Sequence, residues 1–280
     1  MMRRALVVAA ILVGIPAAAG QTPPAGMVAS PCEGLMPQIP EPVKAYIGVI
    51  SGLVQTATIP PPPPELAAYR QANLDARKSD WADLCRYRAD NARLLALPAS
   101  ARRIVFMGDS ITQNWGLDDP GFFSGGIVNR GISGQTTPQM LLRFQADIVA
   151  LKPKLVHIMA GTNDIAGNSG PNAPEDYKNN IRAMVTLAKA NGIKVILASI
   201  PPAARFAWKP ELQPAPRVAE LNMWLKAYAK AEKVEYLDYH SSLTTPDGAL
   251  QPAFTFDGIH PNHAGYQVMV SLARRAVAGR

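Results

Sequence analysis

Short apolar runs alternate with longer amphipathic stretches from about residue 103 to the C-terminus. Arg103 to Met107, Gly126 to Asn129, Leu155 to Ala160, Lys194 to Ile200 and Val234 to Asp238 read as strands, each bounded by polar turn residues. The intervening stretches read as helices: the segment after Ser110, then Pro138 to Ala150, Pro174 to Ala190, Ala215 to Glu232 and Asn262 to Ala278. Thr137 is the expected cap of the second helix, with Pro138 at its first position, and Asn191-Gly192 is the expected stop of the third. Apolar strands separated by helices predict an α/β protein, a three-layer α/β/α sandwich on a parallel, doubly wound sheet. In such a sheet the functional crevice lies outside the carboxyl ends of the strands.

The first third of the chain follows a different pattern. Arg3 and Arg4 precede an apolar stretch from Ala5 to Ile15 and the small residues Ala17-Ala18-Ala19, as in a secretory signal cleaved after Ala19. The run is shorter than the ~20 residues a bilayer core needs, and Pro16 interrupts it, so a membrane anchor is the weaker reading. General secretion fits better than a twin-arginine route, whose flanking residues are missing, and Cys32 lies too far from the apolar run for a lipoprotein cysteine. Residues 20–64 are rich in proline and small residues and end in Pro60 to Pro64, which favours an extended strap or linker. Residues 65–100 turn helical, with Leu66, Tyr69, Leu74, Trp81, Leu84 and Leu94 partly at helical intervals. A break is expected at Lys78-Ser79-Asp80, where Ser79 or Asp80 would cap a second helix. Residues 101–280 then form the main domain.

Composition narrows the function classes. A hydrophobic fraction of 48% against 18% charged residues excludes disorder for the bulk of the chain. The net charge is +7, Arg3 and Arg4 contribute to it, and the other cations are dispersed with no run of five, so no nucleic-acid partner is expected. Integral membrane association is not expected either, since no later segment is long and apolar enough to span a bilayer. Cys32 and Cys85 are the only cysteines, and an even number in a chain that reads as exported predicts a disulfide between them. Closing so long a loop contributes about 4 kcal/mol in the chain-entropy account.

Four polar blocks sit where strands should end or turns should fall: Gly108-Asp109-Ser110, Asn129-Arg130-Gly131-Ile132-Ser133-Gly134, Gly161-Thr162-Asn163-Asp164 and Asp257-Gly258-Ile259-His260. Ser110 can act as a nucleophile only if a base takes its proton, and four histidines are present. His157 lies inside an apolar run and reads as structural; His240 follows the fifth strand and could line a pocket or cap a loop. Asp257 stands three residues before His260, so one turn can carry both a base and the carboxylate that orients it. The same spacing also suits a plain Asx-turn before a helix. A metal site on Asp257, His260 and His263 would lack a fourth ligand, and no metal or cofactor is expected. Backbone N–H groups at Ser110 and in the glycine turn, with the Asn163 amide, are candidate donors to an oxyanion. The serine is not in the Gly-x-Ser-x-Gly elbow of α/β-hydrolases.

From about Arg102 onward the four blocks in this order resemble the SGNH or GDSL hydrolase superfamily. Gly161-Thr162-Asn163-Asp164 and Asp257-Gly258-Ile259-His260-Pro261-Asn262-His263-Ala264-Gly265-Tyr266 are similar to its platelet-activating-factor-acetylhydrolase-like members. The resemblance implies a flavodoxin-like sheet, Ser110 as nucleophile, His260 as base and Asp257 as its orienter. It also implies Ser110, Gly134 and Asn163 as oxyanion donors, with Gly131 left as a turn residue and Asp109 as a structural one. The expected activity is that of an exported serine esterase removing acetyl or other short acyl groups, from a small-molecule or carbohydrate ester. Lipid-ester hydrolysis, acyl transfer and a noncatalytic glycan-binding role are the alternatives. Trp115, Phe206, Trp208 and His263 are the expected contacts to substrate.

Overall fold

The computed structural model describes Gly26 and residues 30–278, so the predicted signal lies outside the described residues. Two compact units are distinguished, Met1–Pro31 and Cys32–Arg280, and everything that follows concerns the second. Its strands are β1 (Ile104–Gly108), β2 (Ile127–Gly131), β3 (Leu155–Met159), β4 (Lys194–Ala198) and β5 (Glu235–Leu237). They form one parallel sheet in the order β2-β1-β3-β4-β5, with Gly108 level with both Gly131 and Met159. The helices are α1 (Glu41–Ser51), α2 (Pro64–Ser79), α3 (Arg88–Leu95), α4 (Ser110–Asp118), α5 (Thr137–Phe144), α6 (Thr162–Ile165), α7 (Pro174–Ala190), α8 (Ala215–Glu232), α9 (His240–Leu243) and α10 (His263–Val277).

The central strands β1 and β3 are buried along their whole length because both faces of the sheet are covered. Val105 and Met107 of β1 join a cluster with Phe144, Ile181 and Leu225 from α5, α7 and α8. Ile104 and Phe106 point the other way, into a cluster with Trp115 of α4 and Tyr266 and Met269 of α10. His157 shares that second face, fully buried, stacked on Phe106 with its Nε2 3.0 Å from the Tyr239 hydroxyl. Burial pushes its pKa down to about 3, so it is neutral and structural.

Several boundaries differ from the sequence pattern. Thr136, not Thr137, caps α5: the Gln139 side chain accepts from the Thr136 N–H at 3.0 Å in a capping box. Thr137 is thereby free to donate its own N–H to the Asp164 carboxylate at 3.0 Å. After Phe144 the α-geometry gives way to a π-turn over Gln145–Val149. The Pro-rich segment is not extended throughout, since it contains α1, which starts just after Pro40 and has Pro42 in its first turn. Asp80 does not cap a second helix beginning at once; its oxygens accept from Leu84 N and Cys85 N, and α3 begins only at Arg88. Cys85, in this stretch, is joined to Cys32.

Arg143 of α5 fastens the carboxyl edge of the sheet. It is fully buried and donates to Gly108 O at 3.1 Å, Arg130 O at 2.8 Å, Gln135 Oε1 at 2.6 Å and Asp147 Oδ2 at 2.9 Å. Arg143→Met strips these acceptors and leaves Asp147 a buried carboxylate without its cation, so a loss of about 3–5 kcal/mol is expected in urea unfolding. A loss below about 1 kcal/mol, the range of an exposed pair, would contradict this role.

Candidate active site

Four loops converge beyond β1, β2 and β3. In the first, Asp109 caps α4 by accepting from Ile111 N at 2.9 Å, which makes Ser110 the first helical residue. The Ser110 N–H has no hydrogen-bond partner among the described residues and sits at the positive end of the helix. The second loop begins at Gly131, where a Cβ would lie 2.2 Å from Gln113 N and 2.8 Å from Asp109 O. Only glycine allows this loop so close to the serine turn.

In the third loop, the buried Asn163 of α6 donates through Nδ2 to Asp109 Oδ2 and to Gln135 O, each at 3.1 Å. Its Oδ1 accepts from Asn168 Nδ2 at 2.6 Å, and Asn168 Oδ1 accepts from Trp208 Nε1 at 3.1 Å. A hydrogen-bonded chain therefore runs from a partly exposed indole to the carboxylate beside Ser110.

The fourth loop is the turn before α10. Buried Thr255 closes it, donating to His260 O at 2.7 Å and accepting from Gly258 N at 2.9 Å, and Gly258 takes a φ of +85°. Asp257 Oδ1 accepts from Ile259 N at 2.9 Å and His260 N at 2.8 Å, while Oδ2 lies 2.7 Å from His260 Nδ1. The Asx-turn and the orienting carboxylate are thus one group doing both jobs. On the other side of the ring, His260 Nε2 is 2.9 Å from Ser110 Oγ.

The charges reinforce this alignment. Burial alone would depress the His260 pKa, but the charge and hydrogen bond of Asp257, with the charge of Asp109, hold it above the ordinary value. Burial raises Asp257, yet the His260 charge and its three hydrogen bonds outweigh this and leave its pKa lowered. Desolvation pushes Asp109 up to about 6, against the pull of the Ile111 N–H and the His260 charge. A cleft of about 700 Å³ opens at this point, lined by Gly134, Asp257, His260, Phe256 and Trp208 and, from α1 and α2, by Tyr46 and Arg77. A serine hydroxyl bonded to an imidazole, itself held by a carboxylate, is arranged for attack on an acyl carbon.

Residues 106–268 match the GDSL-like Lipase/Acylhydrolase family. The chain belongs to this family. It is accordingly a carboxylic ester hydrolase, and several relatives agree. Esterase TesA of Pseudomonas aeruginosa is 32% identical over 60% of this chain and 84% of its own. An acetylxylan esterase of Geobacillus stearothermophilus is 26% identical over 54% of this chain and 71% of its own. A crystal structure of a GDSL-like lipase from Bacteroides thetaiotaomicron superposes with a TM-score of 0.67 and 44% identity, covering 70% of this chain and 97% of that one.

Within this GDSL-family site, not every expected contact reaches the cleft. Trp115 is fully buried between Phe106, Phe122 and Tyr266, because five helical residues turn it about 140° away from Ser110. Phe206 is also fully buried, stacked under Trp208, and only the outer ring faces the cleft. His263 points to Asp118, 3.1 Å from its Oδ2. His240 is half-buried at the start of α9, where its N–H donates to Ser199 Oγ. Asn168, Phe256 and Arg77 had no motif to announce them; Asn168 lies in a polar turn and Arg77 on a helix far from the blocks.

In a residue-resolved NMR titration, His260 is expected to titrate above the ordinary ~6.5, and Asp257→Asn to lower that midpoint. His157 should stay neutral down to about 3. A His260 midpoint at or below the ordinary value in the intact protein would contradict the pairing.

Proposed function

We propose that this chain is an exported serine esterase that hydrolyses short-chain carboxylic esters, acetyl esters first among them, through an acyl-serine intermediate. The observation that carries the reading is the aligned path from Ser110 Oγ through His260, 2.9 Å and 2.7 Å at its two links, to Asp257. His260 Nε2 takes the hydroxyl proton as Oγ attacks the ester carbon, and Asp257 holds the ring and balances the imidazolium. The tetrahedral oxygen gathers negative charge near the Ser110 and Gly134 N–H groups, with Asn163 contributing a third donor once one of its N–H groups leaves a resting acceptor. His260 then returns the proton to the leaving alcohol, and water repeats the sequence on the acyl-serine to free the acid. The raised His260 pKa fixes the sign of the pH response: the base is lost as pH falls through that pKa.

Export is supported by the N-terminal pattern and by the Cys32–Cys85 bridge. Among the described residues no helix is long and apolar enough to cross a membrane. A short acyl group is favoured by the acetylxylan esterase relative, and carbohydrate esters enter on the same ground. A second reading, hydrolysis of larger apolar esters, is favoured by one feature of the cleft. Tyr46, Ile47 and Ile50 of α1 and Leu66 and Tyr69 of α2 line it, an apolar wall beside the catalytic histidine.

Hydrolysis of p-nitrophenyl acetate, butyrate and octanoate by the mature protein tests both readings. Rates are expected to peak at acetate, with Ser110→Ala losing about 10⁴-fold or more in kcat and Asn163→Ala about 10²–10³-fold. A peak at octanoate would transfer the reading to apolar esters, and full activity in Ser110→Ala would overturn the serine mechanism.

A further inference from the structure

We propose that Arg77 of α2, outside the stretch that matches the family, is a positioning residue for the oxyanion turn. The inference rests on Gly134 acting as an oxyanion donor, as read above.

The donor in question is the N–H of the peptide unit between Ser133 and Gly134. The carbonyl of that same unit, Ser133 O, accepts from Arg77 Nη2 at 2.7 Å. In a trans peptide the C=O and N–H point in opposite directions, so anchoring the oxygen fixes where the hydrogen aims. A guanidinium on the carbonyl end also polarises the unit, and this strengthens its N–H as a donor. One contact from the N-terminal helices thus sets both the direction and the strength of a proposed catalytic hydrogen bond.

Arg77 is itself held in place. Its Nε donates to both oxygens of the buried Asp83 carboxylate, at 3.1 and 3.0 Å. Asp83 in turn accepts from Gln135 Nε2 at 2.8 Å, one residue beyond Gly134. Nη1, the remaining edge of the guanidinium, lies 3.4 Å from where a Cβ on Gly134 would sit, and Arg77 lines the cleft with His260.

The neighbours of Arg77 grip the same turn from the same side. The Tyr87 hydroxyl donates to Gly131 O, Gln135 Nε2 donates to Ala82 O at 2.9 Å, and Gln139 Nε2 donates to Trp81 O at 2.7 Å. The hydrolase domain holds the same stretch from the other side, through Ile132 N to Gly108 O at 3.0 Å, Ser133 N to Gln113 Oε1 at 3.0 Å, Asn163 Nδ2 to Gln135 O at 3.1 Å and Thr137 N to Asp164 Oδ1 at 3.0 Å, while the bond to the Ser133 carbonyl comes from Arg77. Residues 77–87 therefore act as a clamp on residues 131–139, and the N-terminal extension is part of the active site.

The test compares Arg77→Met and Arg77→Lys with the parent protein on p-nitrophenyl acetate and in binding of methylboronic acid. This acid forms a tetrahedral adduct on the nucleophile and places an oxygen at the oxyanion position. Arg77→Met is expected to lose about tenfold in kcat, less than the 10²–10³ of a deleted donor, with KM nearly unchanged. Boronate affinity should fall by a similar factor. Arg77→Lys, which can still donate a charged hydrogen bond to Ser133 O, should recover most of both losses. If Arg77→Met does not fold, Arg77→Gln, which keeps a neutral donor, should show the same parallel losses, several-fold in size. Kcat and boronate affinity within twofold of the parent in the folded variant would overturn the proposal for Arg77. The esterase reading would stand in that case, because it is tested separately, by the loss of activity in Ser110→Ala.

Discussion

The parallel register of β2, β1 and β3 is the constraint on which the rest of the molecule depends. Gly108 lies level with Gly131 and Met159, so the chain leaves three adjacent strands at one height. The serine turn, the glycine turn and the Asn163 loop start from that common edge. A slip of one residue in either pairing would turn side chains to the other face and separate the loops. Arg143 reads the register directly, because one guanidinium nitrogen bonds Gly108 O of β1 and Arg130 O of β2 together. The histidine turn reaches the same edge from the far end of the sequence, closed on itself by Thr255.

The price of that convergence is buried charge. Desolvation pushes Asp109 and Asp164 up to about 6, despite the hydrogen bonds each accepts. A carboxylate whose pKa rises on folding adds stability that is present below its unfolded pKa and is lost as pH rises through the folded value. At neutral pH both groups therefore weigh against the fold. They are retained where their bonds order the site: Asp109 caps the serine helix and holds Asn163, and Asp164 engages Thr137 at the start of α5. His260 has the same sign of shift for the opposite reason, a neighbouring carboxylate that favours its charged form.

Much of this architecture was legible in the chain. The bounds of α7 and α8 follow from proline at or near one end and from Asn191-Gly192 at the other end of α7, signals that act locally. The start of α5 was legible only to within one residue. Pro138 as a first helical residue points to Thr137, the Thr136-x-x-Gln139 capping box points to Thr136, and the structure takes the second, with the Thr137 N–H given to Asp164, 27 residues away. Helix α1 was hidden because prolines flank it and suggest an extended strap, although proline is at home in a first helical turn. Trp115 and Phe206 were misread as contacts for substrate, since sequence distinguishes an aromatic residue from others but not the face it takes. The Arg77 contact has no local signature at all. It spans 56 residues and joins two segments that only the tertiary fold brings together.

The central claim is that Ser110 is a nucleophile activated by His260 and Asp257. The most direct measurement is mass spectrometry of the purified protein after reaction with a fluorophosphonate, followed by peptide mapping. The account predicts a single adduct, on Ser110, forming in step with loss of esterase activity and far more slowly in His260→Ala. Inactivation with the adduct on another residue, or full esterase activity with Ser110 completely modified, would contradict it.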